Sequence, residues 1–174
     1  MSIVMIRFLR KGTVMAQIVA RASALLNARA EDVYAAIADY RNNHPHILPP
    51  EMYDLEVEEG GYGAGSVIRF KARTLGVVRH FYQRVSEPEP GHILVERDID
   101  SINDITTTFT VTPVEDGRKA EVEITTTMRP SPGLMGFFER ILVPANNQRL
   151  YRKELQLLES YAQTHKKASV VPQG

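Results

Sequence analysis

The sequence contains no cysteine. Disulfides, cysteine-ligated zinc, a thiol nucleophile and iron–sulfur clusters are therefore excluded. There is no charge excess either. Lys+Arg and Asp+Glu both number 21, so no bulk attraction to nucleic acid or an anionic membrane follows. No apolar run approaches the ~20 residues that a membrane-spanning helix needs. The opening MSIVMIRFLRKG puts apolar residues before basic ones, the reverse of a secretory signal. No GxSxG elbow supports a hydrolase triad. Residues 60–65 are glycine-rich, but a strand follows them and no Lys-Ser/Thr pair closes them, which argues against a phosphate loop.

What is present is an ordinary globular composition, 43% hydrophobic and 24% charged over 174 residues. That length supports one domain with a real core and no metal or disulfide staples. Residues 17–164 are expected to carry the fold. Residues 1–16 read as a flexible N-terminal extension, with Met15 an alternative start, and residues 165–174 as a disordered tail. The expected location is cytoplasmic.

The pattern along the chain predicts an α+β protein. Ile18, Ala20, Ala22 and Ala24 alternate as a first strand. Val33, Ile37 and Tyr40 share one face of a helix over 30–40, with acids in its first turn. RNNHPHILPPE reads as a rigid connection with one short helical turn. From Met52 to Met128 the period becomes two, giving six more strands joined by short turns. Nothing suggests βαβ crossovers. Dense threonine at 106–108 and 125–127 supports the strands. A long helix is expected from about Ser131, capped by Ser131-Pro132, to Thr164. Pro144 lies inside it and predicts a kink rather than a break.

Several clusters could carry chemistry. His44-Pro45-His46 with Asp39 lacks a third convergent metal ligand and reads as a solvated loop or cavity rim. Glu96, Asp98 and Asp100 share one strand face, and their position opposite Ile93 and Val95 predicts a solvent-facing acidic stripe. Arg69, Lys71 and Arg73 form a basic stripe without aromatic partners. Two arginines stand out. If Phe81 and Val85 point inward, so does Arg79; if Ile93 and Val95 point inward, so does Arg97. An inward arginine is costly unless paired or ligand-bound, and its fork suits a carboxylate, enolate or carbonyl. The rival register puts His80, Tyr82 and Arg84 inside, a set able to move protons. Arg79, Arg97, His80 and Tyr82 are thus the catalytic candidates.

A first strand, two short helices, a six-strand meander and a long C-terminal helix resemble the helix-grip fold. NARAEDVYAAIADYRNNHPHI, RVSEPEPGHIL, FTVTPVEDGRKAEVEITT and FFERILVPANNQRLYRKELQLLE are similar to the polyketide cyclase/dehydrase-like branch of the START-related (SRPBCC) superfamily, over residues 17–163. The resemblance implies a curved antiparallel sheet of about seven strands wrapped around the long helix, with a deep cavity between them. Members hold lipids, polyketides, hormones or quinones there, and the resemblance brings no universal catalytic residue. The expected lining is Tyr53, Leu55, Phe70, Phe81, Val95, Arg97, Thr107, Phe109, Ile124, Thr126, Phe138, Ile141, Leu142 and Ala145.

The expected function is binding of a small hydrophobic ligand, lipid, polyketide or quinone-like. The alternative is a cofactor-free polyketide cyclase or dehydratase, a lyase. A third reading is an interaction module that uses the basic stripe and the kinked helix. No metal, cofactor or nucleic acid is expected, nor stable membrane insertion, and the chain is expected to be a monomer or homodimer.

Overall fold

The computed structural model describes residues 16–74 and 76–165. The expectations for the N-terminal extension and the tail fall on residues 1–15 and 166–174, outside the described residues. The elements are β1 (Ile18–Leu26), α1 (Ala30–Ala38), a 3-10 turn (His44–His46), β2 (Met52–Glu59), β3 (Val67–Thr74), β4 (Val77–Glu89), β5 (Ile93–Asp98), β6 (Thr106–Val114), β7 (Lys119–Met128) and α2 (Leu134–Thr164). The seven strands form one antiparallel sheet in the order β1-β7-β6-β5-β4-β3-β2. β2 to β7 are the meander, and β1 closes onto β7 with Ile18 opposite Met128 and Leu26 opposite Ala120. This is the curved sheet and long helix of the helix-grip fold.

Alternation decides the core. Ile18, Ala20, Ala22 and Leu26 of β1 are buried, as are Ala120, Val122, Ile124 and Met128 of β7 and Val111 of β6. The alanines of β1 matter for α2. Small side chains let the helix backbone approach, and the C-terminal half of α2 seats Leu155, Leu158 and Ala162 in the core with them. Deep burial of Leu158, at 0% exposure, contributes about 2 kcal/mol or more. α1 buries Val33, Ile37 and Ala38 on the same core.

Two local features depart from the sequence pattern. β4 runs on through Ser86–Glu89, a Pro-containing stretch that reads as a turn, with a register shift there against β5. α2 starts at Leu134, after Gly133 at φ 72°, rather than at a Ser131 cap. Ser131 does not cap, because the residue that precedes the helix is Gly133 and the serine is held elsewhere. Its backbone N–H and its hydroxyl give hydrogen bonds of 2.7 and 2.8 Å to the Glu139 carboxylate. Pro144 does lie within a continuous helix. No helix among the described residues is long and apolar enough to cross a membrane.

Candidate functional site

The N-terminal half of α2 lies over the sheet without filling the space beneath it. A cavity of about 220 Å³ remains. Its open end carries exposed residues: Val77 and Arg79 of β4, and Met135, Phe138 and Leu142 of α2. The Phe70 and Phe81 rings, stacked across β3 and β4 with centroids 4.9 Å apart, form part of one wall. Its closed end is made of buried groups: His44, Gln83, Glu96, Phe109, Thr126, Leu150, Tyr151 and Glu154.

The closed end is polar in a specific way. Tyr40, fully buried, donates its hydroxyl to Glu96 Oε1 at 2.6 Å. Burial nevertheless lifts the Glu96 carboxyl from 4.5 to about 7, against the lowering effect of that hydrogen bond. Glu154 faces the same cavity and is pushed well above the carboxylate range, by burial first and by Glu96 second. Tyr151 and Thr126 share a 2.5 Å hydroxyl contact, and Thr126 shares another of 2.7 Å with Thr107. His44 stacks on Tyr40 at 4.5 Å, and its Nδ1 lies 2.6 Å from the Ile37 carbonyl. That carbonyl can only accept, so Nδ1 carries the proton and Nε2 is left as the acceptor. Burial lowers the imidazole to about 4, so it is neutral at physiological pH. Together these groups can accept, donate and exchange protons at the buried end of the cavity.

Of the expected lining, Leu55, Phe70, Phe81, Thr107, Phe109, Thr126, Phe138 and Leu142 line the cavity, with Arg79. Tyr53 does not. Asp54 adopts φ 54° and the β2–β3 register shifts between Tyr53 and Glu56. That bulge resets the alternation. Met52 then faces in, and Tyr53 lies outside beneath the Arg73 guanidinium, 5.8 Å from its ring centre. Ile124 is buried in the core proper, at 0% exposure, and is not part of the cavity wall. Ile141 and Ala145 lie on the outer side of α2, away from the cavity. The helix presents 135, 138, 139, 142, 143 and 147 to the cavity, a stripe rotated by about one residue from the expected one.

β5 reverses its expected register. Leu94, Glu96 and Asp98 are buried, whereas Ile93, Val95 and Arg97 are on the other face. Arg97 is exposed and paired with Asp104 at 2.7 Å, so it holds nothing in the cavity. Glu96 and Asp98 are correspondingly not a solvent-facing stripe. The physical reason is that the cavity-side environment satisfies acids. Tyr40 serves Glu96, while the backbone N–H groups of Asp100 and Ser101 each donate at 3.1 Å to Asp98 Oδ1. On β4 the first register holds. Phe81, Gln83 and Val85 face in, and His80, Tyr82 and Arg84 face out, with the Arg69 guanidinium 4.5 Å over the Tyr82 ring. His44 is a buried cavity residue, and exposed His46 stacks on Tyr161 at 5.4 Å. Among the described residues no three His, Cys, Asp or Glu side chains could hold a metal ion together.

A sheet wrapped on a long helix, with an enclosed and mainly apolar cavity between them, defines a helix-grip protein. The chain belongs to the family described as polyketide cyclase / dehydrase and lipid transport, which it matches over residues 17–163. Among solved structures it is similar to the KanY protein (ms6282), with 33% identity and a TM-score of 0.73, covering 86% of this chain and 99% of that one. It also shares the fold of the protein TTHA0849 from Thermus thermophilus, at 20% identity and TM-score 0.71, covering 86% and 99% of the two chains. The Zhui aromatase/cyclase from Streptomyces sp. R1128 has the same fold at 16% identity and TM-score 0.69, covering 89% and 99%. Comparison with curated protein sequences gives no match.

Proposed function

We propose that this protein binds one small hydrophobic molecule, lipid, polyketide or quinone-like, in the cavity between α2 and the sheet. The observation that carries this is an enclosure with an apolar wall of Leu55, Phe70, Phe81, Phe109 and Leu142, reached from an end ringed by exposed apolar side chains. Burying apolar surface contributes roughly 25 cal/mol per Å² before the costs of association. Micromolar affinity therefore needs no special chemistry. Binding occurs in the cytoplasm, by a monomer or homodimer, without nucleic acid, metal or cofactor.

Mass spectrometry of small molecules released from the purified protein tests the reading. A neutral polyaromatic fluorophore should also bind at one site. Leu142→Lys puts a charge at the cavity's open end on an exposed helix position, so it should leave the fold intact. It should weaken the fluorophore by roughly tenfold, as desolvating a lysine against an apolar ligand is costly. Unchanged affinity in the folded variant would move the ligand elsewhere.

A second reading, a cofactor-free cyclase or dehydratase, is favoured by the closed end. Glu96, Glu154 and neutral His44 are buried groups that supply acid and base functions side by side. Arg79 stays the candidate to meet an enolate at the open end.

A further inference from the structure

The closed end of the cavity has a surplus of acceptors. Glu96 has one oxygen engaged by Tyr40. No hydrogen bond from a described residue reaches the Glu154 carboxyl, although Glu154 is 2% exposed and lines the cavity. Independently of the acids, Gln83 is 2% exposed, lines the same cavity, and leaves its Oε1 without a hydrogen-bond partner among the described residues. Buried polar atoms are almost always satisfied, and one aimed at a cavity finds its partner in what fills the cavity.

Cations of the protein do not meet this need. Among the described residues that line the cavity, Arg79 is the one Lys or Arg. Glu96 sits opposite Val85 on β4. Arg79 lies six positions back along that strand, ~20 Å at ~3.3 Å per residue, and at the open end.

We propose that the closed end is an ammonium subsite, in which Glu96 and Glu154 seat the protonated amine of a ligand with an aromatic or alicyclic body and the Gln83 carbonyl accepts its remaining N–H. An ammonium carries three donors and no acceptor, which matches a recess of acceptors. Its charge turns two costly buried acids into a charge-assisted pair of contacts. The body then extends past Phe109 and Phe81 toward Leu142 and the open end. Binding draws both carboxyls into the ionised form, so protons leave as the amine enters. The other titratable groups facing this pair are Tyr40 and His44 from the α1–β2 connection and Tyr151 on α2, with Glu139 and Arg79 toward the open end. His44 and the tyrosines remain neutral from pH 5 to 8, so the carboxyls dominate the pH response.

The subsite holds only if the cavity is the binding site, and three naphthalene probes separate the two questions. They differ in head group alone: aminomethyl, hydroxymethyl and carboxylate. Calorimetry at pH 8 should rank aminomethyl first, roughly tenfold or more above hydroxymethyl, with the carboxylate weakest. The aminomethyl affinity should fall as pH drops from 8 to 5, and its binding enthalpy should vary with buffer ionisation enthalpy because protons are released. Glu154→Gln and Glu96→Gln keep the side-chain shape, and each should cut the aminomethyl preference while sparing the hydroxymethyl probe. If hydroxymethyl binds and aminomethyl binds no better, or if the preference survives both variants, the ammonium subsite is overturned and the cavity reading stands. If no probe binds, both fall.

Discussion

A carboxyl in an apolar enclosure has three ways to lower its cost: it keeps its proton, takes hydrogen bonds, or meets a cation. Glu96 uses the first two, with Tyr40 as its donor. Its protonation therefore links to stability. In the unfolded chain the group titrates near 4.5, and in the fold near 7. A raised carboxyl contributes stability that is complete below 4.5 and is lost as pH rises through 7. At ~1.4 kcal/mol per pH unit the loss is about 3 kcal/mol. Glu154 shifts the same way. His44 runs opposite: lowered from 6.5 to about 4, it contributes stability above 6.5 that is lost as pH falls through 4. Denaturant unfolding of wild type against Glu96→Gln isolates the acid. The variant should gain about 3 kcal/mol relative to wild type between roughly pH 4.5 and 8. Parallel profiles for the two proteins would mean that Glu96 is not buried in its unpaired form.

Elements show a division that residues alone do not. α2 is one helix with two surfaces. Beyond Pro144, Leu150, Tyr151, Leu155, Leu158 and Ala162 are buried; before it, Leu134, Met135, Phe137, Phe138, Ile141 and Leu142 are all exposed, the least of them, Leu142, at 44%. Leu158→Ala should cost ~2–5 kcal/mol through the cavity it leaves, while Phe137→Ala should stay within ~0.5 kcal/mol. Equal costs by chemical denaturation would contradict the two-surface description. The helix itself is legible in the sequence, since its 3.6 periodicity runs over many turns. The side facing the cavity is not, because 134, 138, 141, 142 and 145 are all apolar, whereas the stripe the structure uses includes Glu139 and Asn147. β5 misleads for a related reason. Ile93, Leu94 and Val95 are consecutive apolar residues, so alternation allows two registers, and the acids of the run tip the choice toward placing them in solvent. The hydroxyl that satisfies Glu96 comes from Tyr40, 56 residues away in sequence, and no local pattern announces it. Tyr53 is displaced by a bulge at Asp54, a non-glycine residue with positive φ that carries no sequence mark. The strand count and the meander are legible because they rest on alternation and turn position, whereas β4, with Val77-Val78 and Phe81-Tyr82 side by side, allows two registers until the fold places Phe81, Gln83 and Val85 inward.

At the scale of the whole molecule, the fold sets a firm half beside a weakly anchored one. β1, β7 and the C-terminal half of α2 share the buried core. The N-terminal half of α2 and the start of β4 border the cavity with exposed side chains. Few buried contacts and solvent-exposed side chains mark the segments that open locally at low cost. Residues 134–145 should therefore exchange their amide hydrogens faster than 150–162 in the free protein. A ligand in the cavity touches Met135, Phe138, Leu142 and Val77 from below, and it binds the folded state alone. At a hundredfold excess over Kd it should raise global stability by ~2.7 kcal/mol. Its effect on exchange should be uneven. Protection should grow most over 134–145 and 77–81, and least over 150–162, where opening already requires the core to come apart. Hydrogen exchange read by mass spectrometry, with and without the neutral fluorophore, makes the comparison. Protection that rises evenly along the chain, or mainly in β1 and β7, would place the ligand outside the space between α2 and the sheet.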